Sequence, residues 1–200
     1  MSAFRRRDSR GLAARRIFRR PNAAEPDGEG EMNEIIDINT GQIAVRGGRC
    51  VLRAMALGSC IAVAAYDSRA RIAGMAHIML PGGTPQQGAN DPRYAVYGIG
   101  ALLDRMIEAG CDLGAIEVCL VGGGNVLRNE RDSICGDNIR SVTAVLQDKN
   151  IPIRASVLGG NDRKSAFMDA ETGRVSFTEG NGAERVLWPP EADSENNLGR

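Results

Sequence analysis

The sequence predicts an α+β fold, with mixed or antiparallel β-sheets layered with two main helices in a single domain. Three observations carry that reading. Short β-rich apolar pieces begin at Ile35 and recur as far as Thr178, only two segments show a helical apolar period, and the strands do not alternate with the helices as a doubly wound sheet requires. A chain of 200 residues with 42% hydrophobic content is long enough to bury one sizeable core and short for two.

The elements follow in order. Ile35-Ile36-Asp37-Ile38, Gln42-Ile43-Ala44-Val45 and Cys50 to Leu57 read as strands. Ile61 to Tyr66 and Ile72 to Leu80 flank the polar break Asp67-Ser68-Arg69-Ala70-Arg71, which has hairpin length. Asp91-Pro92 has the form of an N-cap followed by proline at the first helical position, with Tyr94, Tyr97, Ala101, Leu102 and Met106 at helical spacing until Gly110 stops the helix. Ala115 to Val121 reads as a buried strand running into Gly122-Gly123-Gly124, and Asp137 to Gln147 as the second helix. Ile151 to Leu158, Ser165 to Met168 and Arg174 to Thr178 close the domain as strands, and the polar stretch after Gly180 reads as a fraying end. The chain therefore divides into a disordered basic tail over 1–31, a domain over 32–180 and a flexible C-terminal tail over 181–200.

A formal net charge of zero conceals an asymmetry. Residues 1–20 hold eight arginines and one aspartate, a net of +7, which leaves 17 basic against 24 acidic groups, a net of −7, for the remainder. The arginine run is read as a solvated tail in preference to a nucleic-acid site, because only Phe4 and Phe18 interleave the charges as stacking groups. No run approaches the roughly 18 apolar residues of a membrane span, and no apolar stretch of signal-peptide type opens the chain, so a cytoplasmic protein without membrane insertion is expected.

Five cysteines, an odd number without short paired spacing, fit a reducing compartment. With one histidine in the chain the ligand supply for a structural metal is poor, and neither a metal nor a cofactor is expected. Gly122-Gly123-Gly124 lacks the lysine of a P-loop and the full dinucleotide fingerprint, and is read as a tight turn near the site.

The chemistry concentrates on Cys60 and His77. If the hairpin loop is centred between Ser68 and Arg69, Cys60 stands directly opposite His77, on the face away from Ile61, Val63, Ile72, Ile78 and Leu80. Directly opposed residues have Cβ atoms about 4.5 to 5.5 Å apart, within thiol-to-imidazole reach. An imidazole there activates a thiol as nucleophile, and Gly58 permits a bend that lets backbone N–H groups face a developing oxyanion. Pattern alone leaves the plainer reading standing: a core cysteine and a satisfied buried histidine. A register slip of one residue would separate the two groups.

Leu57-Gly58-Ser59-Cys60-Ile61-Ala62-Val63, Tyr66-Asp67 and Gly74-Met75-Ala76-His77-Ile78-Met79-Leu80-Pro81 resemble the signature of the CheD family of chemoreceptor glutamine deamidases. Arg93-Tyr94-Ala95, Val121-Gly122-Gly123-Gly124, Gly136-Asp137-Asn138, Leu158-Gly159-Gly160, Arg163-Lys164 and Glu171-Thr172-Gly173 extend the resemblance, which runs from about Asn33 to Thr178. It implies a cysteine-hydrolase-like domain that converts glutamine side chains on the cytoplasmic helices of methyl-accepting chemotaxis receptors to glutamate. Cys60 matches the nucleophile and His77 the general base, and a CheC-type phosphatase is an implied further partner.

One departure stands out. The family usually carries a threonine six residues before the nucleophile, as a third catalytic member; this chain has Ala54 there, and Ala56 where glycine is common. An alternative follows from Ala54: a weak or inactive regulatory module that binds receptors or the phosphatase.

Overall fold

The structure is a computed structural model and describes residues 34–85, 89–128 and 134–189. The basic tail expected over 1–31 and the last eleven residues, 190–200, lie outside the described residues. The chain folds as β1 (Glu34–Asp37), β2 (Ile43–Gly47), β3 (Cys50–Leu57), β4 (Ile61–Asp67), β5 (Ile72–Ile78), α1 (Ala95–Glu108), a single 3-10 turn (Leu113–Ala115), β6 (Ile116–Gly122), α2 (Ile134–Asp148), β7 (Ile153–Leu158), β8 (Lys164–Asp169), β9 (Val175–Glu179) and β10 (Arg185–Trp188).

Two five-stranded sheets result. One has the order β1-β3-β8-β9-β10 and the other β2-β5-β4-β6-β7; each is mixed, with β1 parallel to β3 and β6 parallel to β7 among antiparallel pairs. The second sheet is buried on both faces. One face, with Ile61, Val63, Ala76 and Ile78, packs on Ile99, Leu102 and Met106 of α1 and on Val142 and Leu146 of α2. The other, with Ala62, Ala64, Met75 and Val121, packs on Leu52, Ala54, Ala166 and Met168 of the first sheet. Sheet, sheet and helices form three layers, the α+β arrangement that the sequence predicts. Burial on both sides explains why β4 reads Ile-Ala-Val-Ala-Ala rather than as an apolar/polar alternation.

Local chemistry shifts several boundaries. Asp91 does not cap α1: its Oδ1 accepts from the Arg93 N–H at 2.9 Å and closes a turn, and the helix starts three residues later than Pro92 with Tyr94 at the N-cap. Gly110 ends it at φ +106, as expected from a residue without Cβ. α2 begins three residues before Asp137. Part of the stretch read as a fraying end is ordered: Arg185–Trp188 adds an edge strand to β9, its Val186-Leu187-Trp188 packing where a polar tail was expected.

The β4–β5 hairpin pairs Ala62 with His77 and Ile61 with Ile78, a register displaced by two residues from the one that opposes Cys60 to His77. The loop holds four residues, 68–71. Asp67 Oδ1 accepts from the N–H groups of Arg69 (2.9 Å) and Ala70 (3.0 Å), and Arg71 closes the turn at φ +55. A displacement of two preserves the face of every side chain, so Cys60 and His77 remain on the inter-sheet side as diagonal neighbours.

Candidate active site

Cys60 sits half-buried where the chain turns from β3 into β4. The turn begins with a one-residue bulge: Ala54 pairs with Ala166 and Leu57 with Lys164, so Met55 and Ala56 take up the slack. Ala56 lies at φ +54, a conformation that favours glycine, and its N–H donates to Ser165 Oγ at 3.2 Å. The glycine common to the family at this place thus has a conformational cause.

The three carbonyls around Cys60 are each tied down. Gly58 O accepts from the Gly124 N–H at 2.8 Å and Cys60 O from the Gly123 N–H at 2.8 Å. Ser59 O accepts from Nδ2 of Asn138 at 2.8 Å. The triple glycine is therefore a tight turn that backs Cys60. Gly122 lies at φ +130, and a Cβ on it would come within 2.1 Å of Cys60 O.

His77 is buried on β5, and its ring is held by backbone. Nδ1 lies 2.9 Å from the carbonyl of Ile38, and only an Nδ1–H can donate there. That bond selects the tautomer and leaves Nε2 as a lone pair. Nε2 is buried and, among the described residues, has no hydrogen-bond partner. Ile38 is itself fixed, since its N–H donates to Arg53 O at 2.7 Å. The segment that carries it is pinned to β5 by Gly41 N–H to His77 O (2.9 Å) and His77 N–H to Gln42 O (3.1 Å).

Ile38 O therefore orients the His77 ring, in a chain that has Ala54 where the family pattern carries a threonine. Ala54 is fully buried in the apolar layer between the sheets. The orienting group escaped the sequence reading because a main-chain carbonyl leaves no mark in the choice of side chain.

Burial sets the charge states. It pushes the Cys60 thiol above its ordinary value, an effect opposed by the cysteine's own N–H and reinforced by nearby Cys135. It pushes His77 below its ordinary 6.5, outweighing the Ile38 contact that favours the cation. At neutral pH both directions favour the uncharged forms, a thiol and a neutral imidazole, over a thiolate and an imidazolium. The diagonal register agrees, because it places the two Cβ atoms up to about 7 to 8 Å apart.

Two clefts flank the site. One of about 300 Å³ is lined by His77, Ile38, Met55 and the Arg53–Asp37 ion pair (2.7 Å). The other, of about 290 Å³, is lined by Gly58, Ser59, Gly124, Cys135 and Arg163. Cys111 and Cys119 are remote from this chemistry, with burial pushing both thiols up to about 11. Among the described residues no three His, Cys, Asp or Glu side chains cluster as metal ligands, and no helix is long and apolar enough to cross a membrane.

Comparison with known proteins adds the family. The description "CheD chemotactic sensory transduction" matches residues 79–179. A "Probable chemoreceptor glutamine deamidase CheD" of Chlorobium luteolum is 42% identical over 165 residues, covering 81% of this chain and 82% of that protein. The chain belongs to the CheD family. A second CheD relative, from Haloarcula marismortui, is 32% identical and covers 74% of this chain and 87% of its own. The "Chemoreceptor glutamine deamidase CheD" of Thermotoga maritima is 30% identical over 78% of this chain and 97% of that protein. The crystal structure of the Bacillus licheniformis hypothetical protein YfiH aligns with a TM-score of 0.33 and 17% identity over 60% of this chain and 48% of that one, too low to bear on the fold.

Proposed function

We propose that this CheD chain deamidates glutamine side chains on the cytoplasmic helices of chemotaxis receptors, with Cys60 as nucleophile and His77 as general base. The observation that carries the reading is the Nδ1 contact to Ile38 O, which leaves a buried, unpartnered Nε2 lone pair on a side chain that shares its strand face with Cys60. A satisfied structural histidine would use both nitrogens.

The charge states favour concerted proton transfer. As the Cys60 sulfur attacks the side-chain amide carbon, Nε2 takes the thiol proton, and the backbone N–H groups of Ser59 and Cys60 face the oxyanion. The imidazolium returns that proton to the departing ammonia and leaves a thioester. Water, deprotonated by Nε2, then cleaves the thioester to glutamate and restores the thiol. Diagonal Cβ spacing requires the cysteine and imidazole to close on one another when substrate binds, as catalytic contacts commonly do.

Ala54 favours a second reading, a module that binds receptors or a CheC-type phosphatase without turnover. Intact-mass measurement of a receptor cytoplasmic fragment separates the two. A shift of about one mass unit per site with wild type and none with Cys60→Ala supports the deamidase. Binding without any shift, and turnover gained on Ala54→Thr, supports the module.

A further inference from the structure

We propose that Asn138 is a positioning residue that locks the peptide bearing the nucleophile to the end of the strand bearing the base. The proposal rests on the acyl-transfer reading of Cys60 given above.

Asn138 lies in the second turn of α2 and is fully buried. It shares a helical stripe, at intervals of four, with buried Val142 and Leu146, so an apolar residue would continue the packing. Asparagine is a poor helix former, and here its Oδ1 is buried without a hydrogen-bond partner among the described residues. Leaving such an atom unsatisfied destabilises the fold. A residue that weakens both helix and core must contribute something that packing does not.

Its contribution is two donated hydrogen bonds. Nδ2 donates to Ser59 O at 2.8 Å and to Met79 O at 2.9 Å. The β4–β5 ladder stops at the pair Ile61 and Ile78. Beyond that rung the chain carrying Cys60 and the chain running on from His77 part, and the Asn138 carboxamide bridges them where the next rung would stand.

Peptide planarity gives the bridge its consequence. In a trans peptide the C=O of Ser59 and the N–H of Cys60 point in opposite directions. With the carbonyl held on Asn138, the Cys60 N–H is turned to the other side of the peptide plane. Among the described residues no acceptor on another residue bonds it. The donor is thereby aimed where charge develops as sulfur attacks a carbonyl.

Asn138→Leu tests the assignment, because it keeps the branched four-atom side-chain skeleton and the stripe and removes both donors. Three readouts are compared with wild type: kcat and KM on a receptor fragment, the acylation burst of Cys60 with p-nitrophenyl acetate, and alkylation of Cys60 by iodoacetamide, which passes through no oxyanion. Losing an aligned oxyanion donor lowers turnover roughly 100- to 1000-fold. The expected result is that fall in kcat and in acylation, with KM and alkylation close to wild type and melting not lowered.

Acylation by the variant close to wild type overturns the proposal. So does a loss shared equally by alkylation and matched by unfolding in the melt, which marks a merely structural asparagine. If Asn138→Leu does not fold, Asn138→Asp, of the same shape and without the NH2, is read by the same comparison. Wild type that acylates but does not deamidate the receptor fragment removes the receptor reading alone, and the acylation comparison still decides the clamp. Wild type that does neither overturns both.

Discussion

Replacing Gly122 by alanine tests whether the triple-glycine turn sets the position of Cys60, the proposed nucleophile. The added Cβ would lie 2.1 Å from Cys60 O, 3.1 Å from Cys60 C and 3.1 Å from Ile61 Cα, all of them main chain that cannot rotate away. Real Cβ contacts stay beyond 3.0 Å, so the two backbones must separate by roughly 0.9 Å. A misplacement near 1 Å costs on the order of 100-fold in rate. The φ of +130 adds strain of about 1 to 3 kcal/mol for any residue with a Cβ. The expected result is kcat/KM on a receptor fragment lowered about 100-fold, with a melting temperature reduced by several degrees. Gly48→Ala is the control, because Gly48 has φ +82 with nothing within 4 Å of its Cβ position and therefore carries backbone strain without the clash. Equal activity of the two variants would refute the claim that Gly122 exists to let the Cys60 carbonyl approach.

Other predictions rest on single contacts. Burial holds His77 below its ordinary 6.5 and the proposed general base must be neutral to accept the thiol proton, so kcat/KM rises with pH through a midpoint below 6.5 and is level from 7 to 8; undiminished activity at pH 4 would indicate a preformed thiolate pair instead. In the window just below 6.5 the unfolded chain binds a proton that native His77 resists, so this residue's contribution to stability diminishes as pH falls, readable as a denaturation midpoint that drops on acidification. Ala56→Gly relieves the φ of +54 while loosening the unfolded chain, and the net expectation is a gain of up to about 1 kcal/mol in urea unfolding; a loss would show that the bulge is not strained. Asp67 is buried, and its Oδ2 accepts from the Asp112 N–H at 3.0 Å while Oδ1 holds the hairpin loop, so Asp67→Asn sets an N–H against an N–H and lowers stability by about 1 to 3 kcal/mol.

Much of the fold was legible because its signals are local. Apolar stretches bounded by turn residues located β1 to β9 to within a few residues, and the face shared by Cys60 and His77 survived because side-chain direction has a period of two. The register did not survive, because it is set by Asp67 Oδ1 and the αL conformation of Arg71, which act through main-chain geometry. Asn138 stood inside a quoted motif without a role. Its signal was a polar residue on the stripe of Val142 and Leu146.

The amino-acid sequence by itself determined the fold class, the family signature and the strand face that Cys60 shares with the only histidine, because these depend on residue type and spacing along the chain. Tertiary structure alone decided what orients that histidine, which peptide groups are held around Cys60, and that both partners rest uncharged. Those properties arise from main-chain atoms and burial contributed by segments as far apart as Ile38, Gly124 and Asn138. A hydrogen bond to a carbonyl asks only that the backbone be there, so its donor or acceptor is invisible until the chain has folded.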